Sequence, residues 1–202
     1  MLILCSDGLS SQALISRVRA SINGCSKAAL VVTADNLYKE KNYHVSRCIR
    51  ELQSIGLSVD IVDIDTESAE VLNQYDVVEF IGGNPYYLLH AIHRTNCAAT
   101  LRDIAQNKIL IGWSAAAFVF GPTLALADRY TPQMNELGLA DLTGLSLTSQ
   151  HILPHYSKFL TKFDCFEEIC REYEAEHQVN VIRLNDGDGL IVSNNTAELC
   201  KA

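Results

Sequence analysis

Five short apolar runs, each followed by a stretch with helical periodicity, recur through the first 117 residues and constrain the fold more than any other feature. Leu2–Ser6, Ala28–Thr33, Leu57–Ile64, Asp76–Ile81 and Ile109-Leu110-Ile111 are short and rich in branched aliphatic residues. Ile109-Leu110-Ile111 reads as a strand buried on both faces, Ala28–Thr33 as a buried strand, and the others as strands by their spacing. Between them, Ser10–Ile22 places Ala13, Leu14 and Val18 on one side, and Asn42–Ile55 carries Val45, Cys48, Ile49 and Leu52 at helical spacing. Asn23-Gly24 and Gly56 close those two helices. Ser68–Tyr75 reads as a short helix with Ser68 as N-cap, and Tyr86–Ala105 as one long helix. Such alternation predicts an α/β fold in three layers: a parallel sheet with right-handed crossovers and helices on both faces. With no linker, repeat or low-complexity stretch in 202 residues, a single domain over 1–202 is expected.

Composition narrows the partners. A formal charge of −8 argues against a nucleic-acid or anionic-membrane surface. The seven cysteines (Cys5, Cys25, Cys48, Cys97, Cys165, Cys170 and Cys200) include no C-x-x-C pair. They read as reduced thiols of a cytoplasmic protein, not as a disulfide framework or a zinc site. The first apolar run ends by Cys5, too early for a signal peptide, and no later run is long enough to span a bilayer. His90 and His93 share a helix face without a carboxylate cluster, so neither metal nor cofactor is expected.

In parallel sheets, functional groups gather at the carboxyl ends of the strands. Two strands end in unusual sequence, Ile81-Gly82-Gly83-Asn84 and Ile111-Gly112-Trp113-Ser114. Ser114 stands at a strand-to-helix turn, just before Ala115-Ala116-Ala117. A serine there has its hydroxyl raised above the sheet beside the free N–H groups of a helix start, as in a nucleophile elbow. An ordinary N-cap serine fits the same position. The paired glycines let the backbone approach a ligand, and a glycine N–H would join that of Ala115 as an oxyanion donor.

Beyond Gly121-Pro122 the alternation stops. Thr123–Gly144 is of mixed polarity, with Asp128, Glu136 and Asp141, and Leu145–Leu147 is a short candidate strand. His155 follows Pro154 and is expected on extended backbone. Phe163–His177 is an amphipathic helix. Asn180–Leu184 and Leu190–Ser193 flank the turn Asn185-Asp186-Gly187-Asp188-Gly189, which predicts a C-terminal β-hairpin. Serine, then acid, then histidine is one known order for a catalytic triad.

G-W-S-A-A-A after an apolar strand, G-G-N-P-Y-Y-L-L before it and L-P-H-Y downstream together resemble the peptidase E group of serine peptidases, related to cyanophycinase. The family pattern is G-G-G-N-T-F-x-L-L, then G-x-S-A-G-A, then N-P-H-[FY] or L-P-H-Y. The resemblance implies the class I glutamine-amidotransferase-like (flavodoxin-like) fold and hydrolysis of short peptides. It implies Ser114 as nucleophile, His155 as general base, and Gly83 and Ala115 as oxyanion-hole donors. It makes Asp128 the third member of the triad, with Glu136 as runner-up, and assigns Asn84 and Tyr156 to substrate binding. The implied partner is a small peptide substrate, with a homodimer as the assembly left open. His151 is expected to be structural.

The chain departs from the pattern at Ala116, where the family has glycine, and at Pro85, where it has threonine. Branches selective for N-terminal aspartate carry arginines soon after the histidine; this chain has Lys158-Phe159-Leu160-Thr161-Lys162 there. Lys158 and Lys162 are expected in solvent, and a strong preference for N-terminal aspartate is not expected. Two other readings stay open: a catalytically silent family member binding a peptide or metabolite, and an α/β-hydrolase-type esterase.

Overall fold

The apolar runs pair into one mostly parallel sheet in the computed structural model, which describes residues 1–194 and 196–202. In chain order the elements are β1 (Leu2–Cys5), α1 (Gln12–Ser21), β2 (Lys27–Val31), α2 (Val45–Ser54), β3 (Ser58–Val62), β4 (Val77–Phe80), α3 (Pro85–Arg94), α4 (Ala98–Asn107) and β5 (Ile109–Trp113). They continue with α5 (Ala115–Phe120), α6 (Ala125–Tyr130), β6 (His151–Leu153), α7 (Tyr156–Lys162), α8 (Phe166–His177), β7 (Val181–Arg183), β8 (Gly189–Ser193) and β9 (Thr196–Cys200). The sheet order is β3-β2-β4-β5-β1-β8-β9. The first five strands run parallel, β8 lies antiparallel to β1, and β9 antiparallel to β8.

Side chains alternate between the two faces of the sheet because the strand period is two. Ile3, Leu30, Val77 and Ile111 face Leu14 and Val18 of α1 and Cys48 and Leu52 of α2. Leu4, Val31, Val78, Phe80 and Leu110 face the other way, onto Leu88, Leu89 and Ile92 of α3, Leu101 and Ile104 of α4, and Phe120 of α5. Each fully buried Leu, Ile, Val or Phe contributes roughly 1.5–3 kcal/mol. The three layers follow from that pattern.

Register positions the site. Leu2 pairs with Leu110 and Cys5 with Trp113, while Val77 pairs with Ile109 and Phe80 with Gly112. The carboxyl ends of β1, β4 and β5 therefore finish side by side, which brings Ser6, Gly82-Gly83 and Ser114 to one edge.

Five local expectations are corrected. The long helix is two helices, α3 and α4, broken at Asn96, whose φ is +55°. The Thr95 hydroxyl donates to Ala91 O at 2.8 Å, closing α3 while the apolar periodicity runs on. Ala69–Gln74 is a 3-10 turn rather than an α-helix, although Ser68 caps it as expected. Leu145–Leu147 forms no strand: its N–H groups donate to Val119 O, Gly121 O and Phe120 O and satisfy carbonyls at the end of α5. Lys158–Lys162 lies in α7, and the C-terminal helix begins only at Phe166. The C-terminal hairpin exists, but it is built from β8 and β9. Val181–Arg183 instead pairs in parallel with His151–Leu153 in a separate two-stranded sheet. The Asn185–Gly189 segment is thus a crossing between sheets, held by Asp188 Oδ2 accepting from Asn185 N–H at 3.0 Å. Among the described residues, no helix is long and apolar enough to cross a membrane.

Gly112 lets the strand and its following helix close together: a methyl there would meet Phe120 Cδ2 at 2.6 Å and Ala116 Cβ at 3.2 Å. Gly112→Ala is expected to lower stability by about 1–3 kcal/mol through overpacking. A fall in the urea midpoint with an unchanged m-value checks this.

Candidate active site

Ser114 has φ +51° and ψ −111°, a conformation that a residue with a Cβ adopts only when its surroundings over-determine it. Its N–H donates to Cys5 O at 3.2 Å, so β1 holds one side of the turn. On the other side α5 packs on the strand, and the Ala116 methyl fits because Gly112 faces it without a side chain. The second departure is also absorbed. Pro85 occupies the first turn of α3, where its missing N–H has no partner to lose, and Asn84 caps the helix.

The glycine pair supplies backbone where no side chain fits. A Cβ on Gly82 would lie 2.5 Å from the Trp113 ring, and one on Gly83 only 2.2 Å from Ala34 O. Gly83 also has φ +154°. Among the described residues, neither Gly83 N–H nor Ala115 N–H donates a hydrogen bond within the chain. Both are available to a developing negative charge.

His155 is not extended as expected: φ +57° and ψ +28° put it in the left-handed region at the start of α7. The restriction that a proline imposes falls on the residue before it, Leu153, and leaves His155 free. Its N–H donates to Ser6 Oγ at 2.9 Å. Its Nδ1 lies 2.6 Å from Asp186 Oδ1, which also accepts from Ser6 Oγ at 2.8 Å. Lys158 pairs with the other oxygen, Oδ2. Burial works against the charged carboxylate, but the hydrogen bonds from Lys158, His155 and Ser6 outweigh it and hold Asp186 below the usual carboxylate range. Asp186 is ionised at neutral pH.

The carboxylate beside the histidine is therefore neither of those expected. Asp128 accepts from the Tyr86 hydroxyl at 3.0 Å, and neither it nor Glu136 bonds His155 among the described residues. The residues expected to touch substrate are engaged elsewhere. The Asn84 amide accepts from Tyr86 N–H and Tyr87 N–H and donates to Met134 O. The Tyr156 hydroxyl donates to Glu167 at 2.9 Å. His151 Nδ1 lies 3.1 Å from the Tyr173 hydroxyl. The N-D-G-D-G run reads as a hairpin turn, and nothing local in it marks Asp186 or Asp188 as the partner of a histidine.

Ser114, His155, Gly83 and Phe159 border two cavities. The larger, 490 Å³, is lined also by His44, Arg47, Lys158 and Lys162. The smaller, 120 Å³, is apolar and lined by Pro85, Phe118, Tyr130 and Met134. Arg47 reaches the cleft from α2, far before the histidine in the chain. Its guanidinium is engaged, by Nη1 with Glu51 at 2.7 Å and by Nη2 with Asp7 O at 2.6 Å. Lys158, expected in solvent, is 66% exposed yet paired with Asp186.

The elbow strain has a measurable signature. Ser114→Gly should be more stable than Ser114→Ala by about 1–2 kcal/mol, because glycine relieves the positive φ that alanine retains. Urea titration of both variants checks it; equal midpoints would mean that the turn is unstrained.

A profile of peptidase family S51 matches residues 2–200. A peptidase of Listeria monocytogenes serovar 1/2a is 28% identical over 171 residues, 82% of this chain and 82% of that one. Peptidase E of a Nostoc species is 30% identical over 116 residues, 56% of this chain and 46% of that one. Among solved structures, a candidate peptidase E from Listeria monocytogenes EGD-e superposes with a TM-score of 0.81 at 23% identity, covering 100% of this chain and 98% of that one. A peptidase from an acI-B1 actinobacterium superposes with a TM-score of 0.72 at 17% identity, covering 100% and 87%. At these identities the structural likeness speaks to the fold.

Proposed function

The chain belongs to peptidase family S51 and is a serine-type peptidase, and we propose that it hydrolyses short peptides through Ser114, His155 and Asp186. The observation that carries this reading is the 2.6 Å contact between His155 Nδ1 and the ionised Asp186, beside the strained Ser114 turn. Asp186 keeps a proton on Nδ1, which leaves Nε2 as the free base. In the first step Ser114 Oγ attacks the scissile carbonyl carbon while His155 takes its proton. The carbonyl oxygen becomes an oxyanion facing Gly83 N–H and Ala115 N–H. Collapse breaks the C–N bond, and the imidazolium returns the proton to the leaving amine. Water, activated by the same histidine, then hydrolyses the acyl-enzyme.

Three variants separate the candidate acids. Asp186→Asn should lower kcat by about four orders of magnitude, as loss of the orienting acid does when it leaves the histidine in the wrong tautomer. Asp128→Asn and Glu136→Gln should each fall less than about tenfold, since neither side chain bonds the imidazole. A collapse only in Asp128→Asn would invert the assignment. Ser114→Ala should abolish both turnover and labelling by a fluorophosphonate probe, which also tells a peptidase from a silent binder.

The two cavities suggest the substrate. The apolar cavity suits an aliphatic or aromatic side chain on one side of the scissile bond. In the polar cleft the Arg47 guanidinium is already engaged by Glu51 and the Asp7 carbonyl. A new bidentate Arg–carboxylate contact in a dry pocket would bring roughly 2–3 kcal/mol, about a hundredfold in kcat/KM. Across a panel of X-Leu dipeptides, Asp-Leu is therefore expected to lead by less than that factor. A larger lead would show that a cleft cation reads the side chain.

A further inference from the structure

The middle of the sheet holds a polar cluster that the proposed chemistry does not use. Glu79 on β4 is fully buried, and its carboxyl oxygens make no well-aligned hydrogen bond, although the Trp113 indole and the Cys48 thiol lie close enough to act on its charge. Two other buried atoms beside it are also unpartnered: Glu51 Oε2 on α2 and the indole Nε1 of Trp113 on β5. Cys48, Glu51 and Glu79 each present an atom within 4.8 Å of the others. Natural cores rarely leave polar atoms unpaired, so four together call for a partner.

A single proton pairs all four. We propose that Glu79 is a positioning residue for the Ser114 site: its protonated carboxyl donates to Glu51 Oε2, while its other oxygen accepts from Trp113 Nε1–H. This rests on the proposed peptidase reading for what is positioned, though not for the proton itself. Glu51 in turn grips Arg47, whose guanidinium lies 5.7 Å from the Trp113 ring centre. Trp113 directly precedes Ser114, and its ring fills the space in which a side chain on Gly82 would stand. The indole thus packs against the backbone of Gly82, which precedes one candidate oxyanion donor, Gly83, and is joined through Ser114 to the other, Ala115.

The charges around Glu79 agree with this. Burial and the neighbouring Glu51 carboxylate push it up to about 8. Burial leaves Glu51 raised as well, but its ion pair with Arg47 draws it back part of the way, which favours the proton on Glu79. Cys48 on α2 and Cys5 on β1 face the same carboxyl as neutral thiols, pushed well up by burial, and Asp7 acts on Glu51 from the loop after β1. As pH rises past about 8, two carboxylates would face each other across the cluster and strain both Arg47 and the indole. Because the fold keeps a proton that the unfolded chain releases, stability should fall with rising pH between the ordinary glutamate range and about 8, then level off.

Infrared difference spectra, urea titrations and pH–rate profiles of wild type, Glu79→Gln and Glu79→Leu test this. At pH 7 the wild type should show the C=O stretch of a buried carboxylic acid that is missing from Glu79→Gln. The stability slope with pH should vanish in both variants. Glu79→Gln, which can still donate to Glu51 and accept from Trp113, should rescue what Glu79→Leu loses, a drop in kcat/KM on the order of tenfold to a hundredfold. The alkaline limb near pH 8 should be present in the wild type and absent from Glu79→Gln. An ionised Glu79 at pH 7, a Glu79→Leu variant as active as wild type, or one equivalent of Zn²⁺ held by wild type and lost in Cys48→Ser would each overturn the proposal. A carboxylic-acid band in a protein with no peptidase activity would instead count against the proposed function and leave the proton in place.

Discussion

One buried hydroxyl ties the catalytic side of the molecule together. Ser6, fully buried at the end of β1, accepts from the His155 N–H and donates to Asp186, residues 149 and 180 positions away. Its own N–H donates to Asp188 O at 3.1 Å. Buried as it is, that hydroxyl is satisfied by protein groups, and the start of α7 and the loop before β8 both meet it. The arrangement needs β1 between β5 and β8. That order puts the Ser114 turn on one side of Ser6 and the Asp186 loop on the other.

The same strand order explains how two unfavourable backbone conformations persist. Ser114 and His155 both have positive φ. Each such residue costs about 1–3 kcal/mol and survives only where its surroundings leave no alternative. For Ser114 these are the Cys5 carbonyl and the close contact of Gly112 with α5. For His155 they are the Ser6 hydroxyl and the Asp186 carboxylate. Sheet packing thus supplies the rigidity, and the loops at the strand ends carry the chemistry.

What was legible in the chain was local. The alternation of apolar runs, the Ser68 and Asn84 caps, the Gly82-Gly83 strand end and the Ser114 elbow depend on residues within a few positions of one another. Where a local signal was ambiguous, long-range contacts resolved it. Leu145–Leu147 had strand composition, but the open carbonyls at the end of α5 took its N–H groups. Helical periodicity ran through Asn96, yet the Thr95 hydroxyl closed α3 there. Val181–Arg183 looked like a hairpin arm, and became the parallel partner of His151–Leu153.

The sequence by itself determined the three-layer α/β architecture and the place of Ser114 at a strand end, because apolar period and turn chemistry act over a few residues. It also carried the motif L-P-H-Y that singles out His155. Only the tertiary structure decided which acid meets that histidine: the family pattern pointed to Asp128, with Glu136 behind it, and it is the insertion of β8 beside β1 that brings Asp186 within 2.6 Å. It likewise decided that Arg47 lines the cleft and that Glu79 lies in the core beside Glu51. The physical reason is range: a hydrogen bond or ion pair between distant segments is set by strand order and register, which no local pattern encodes.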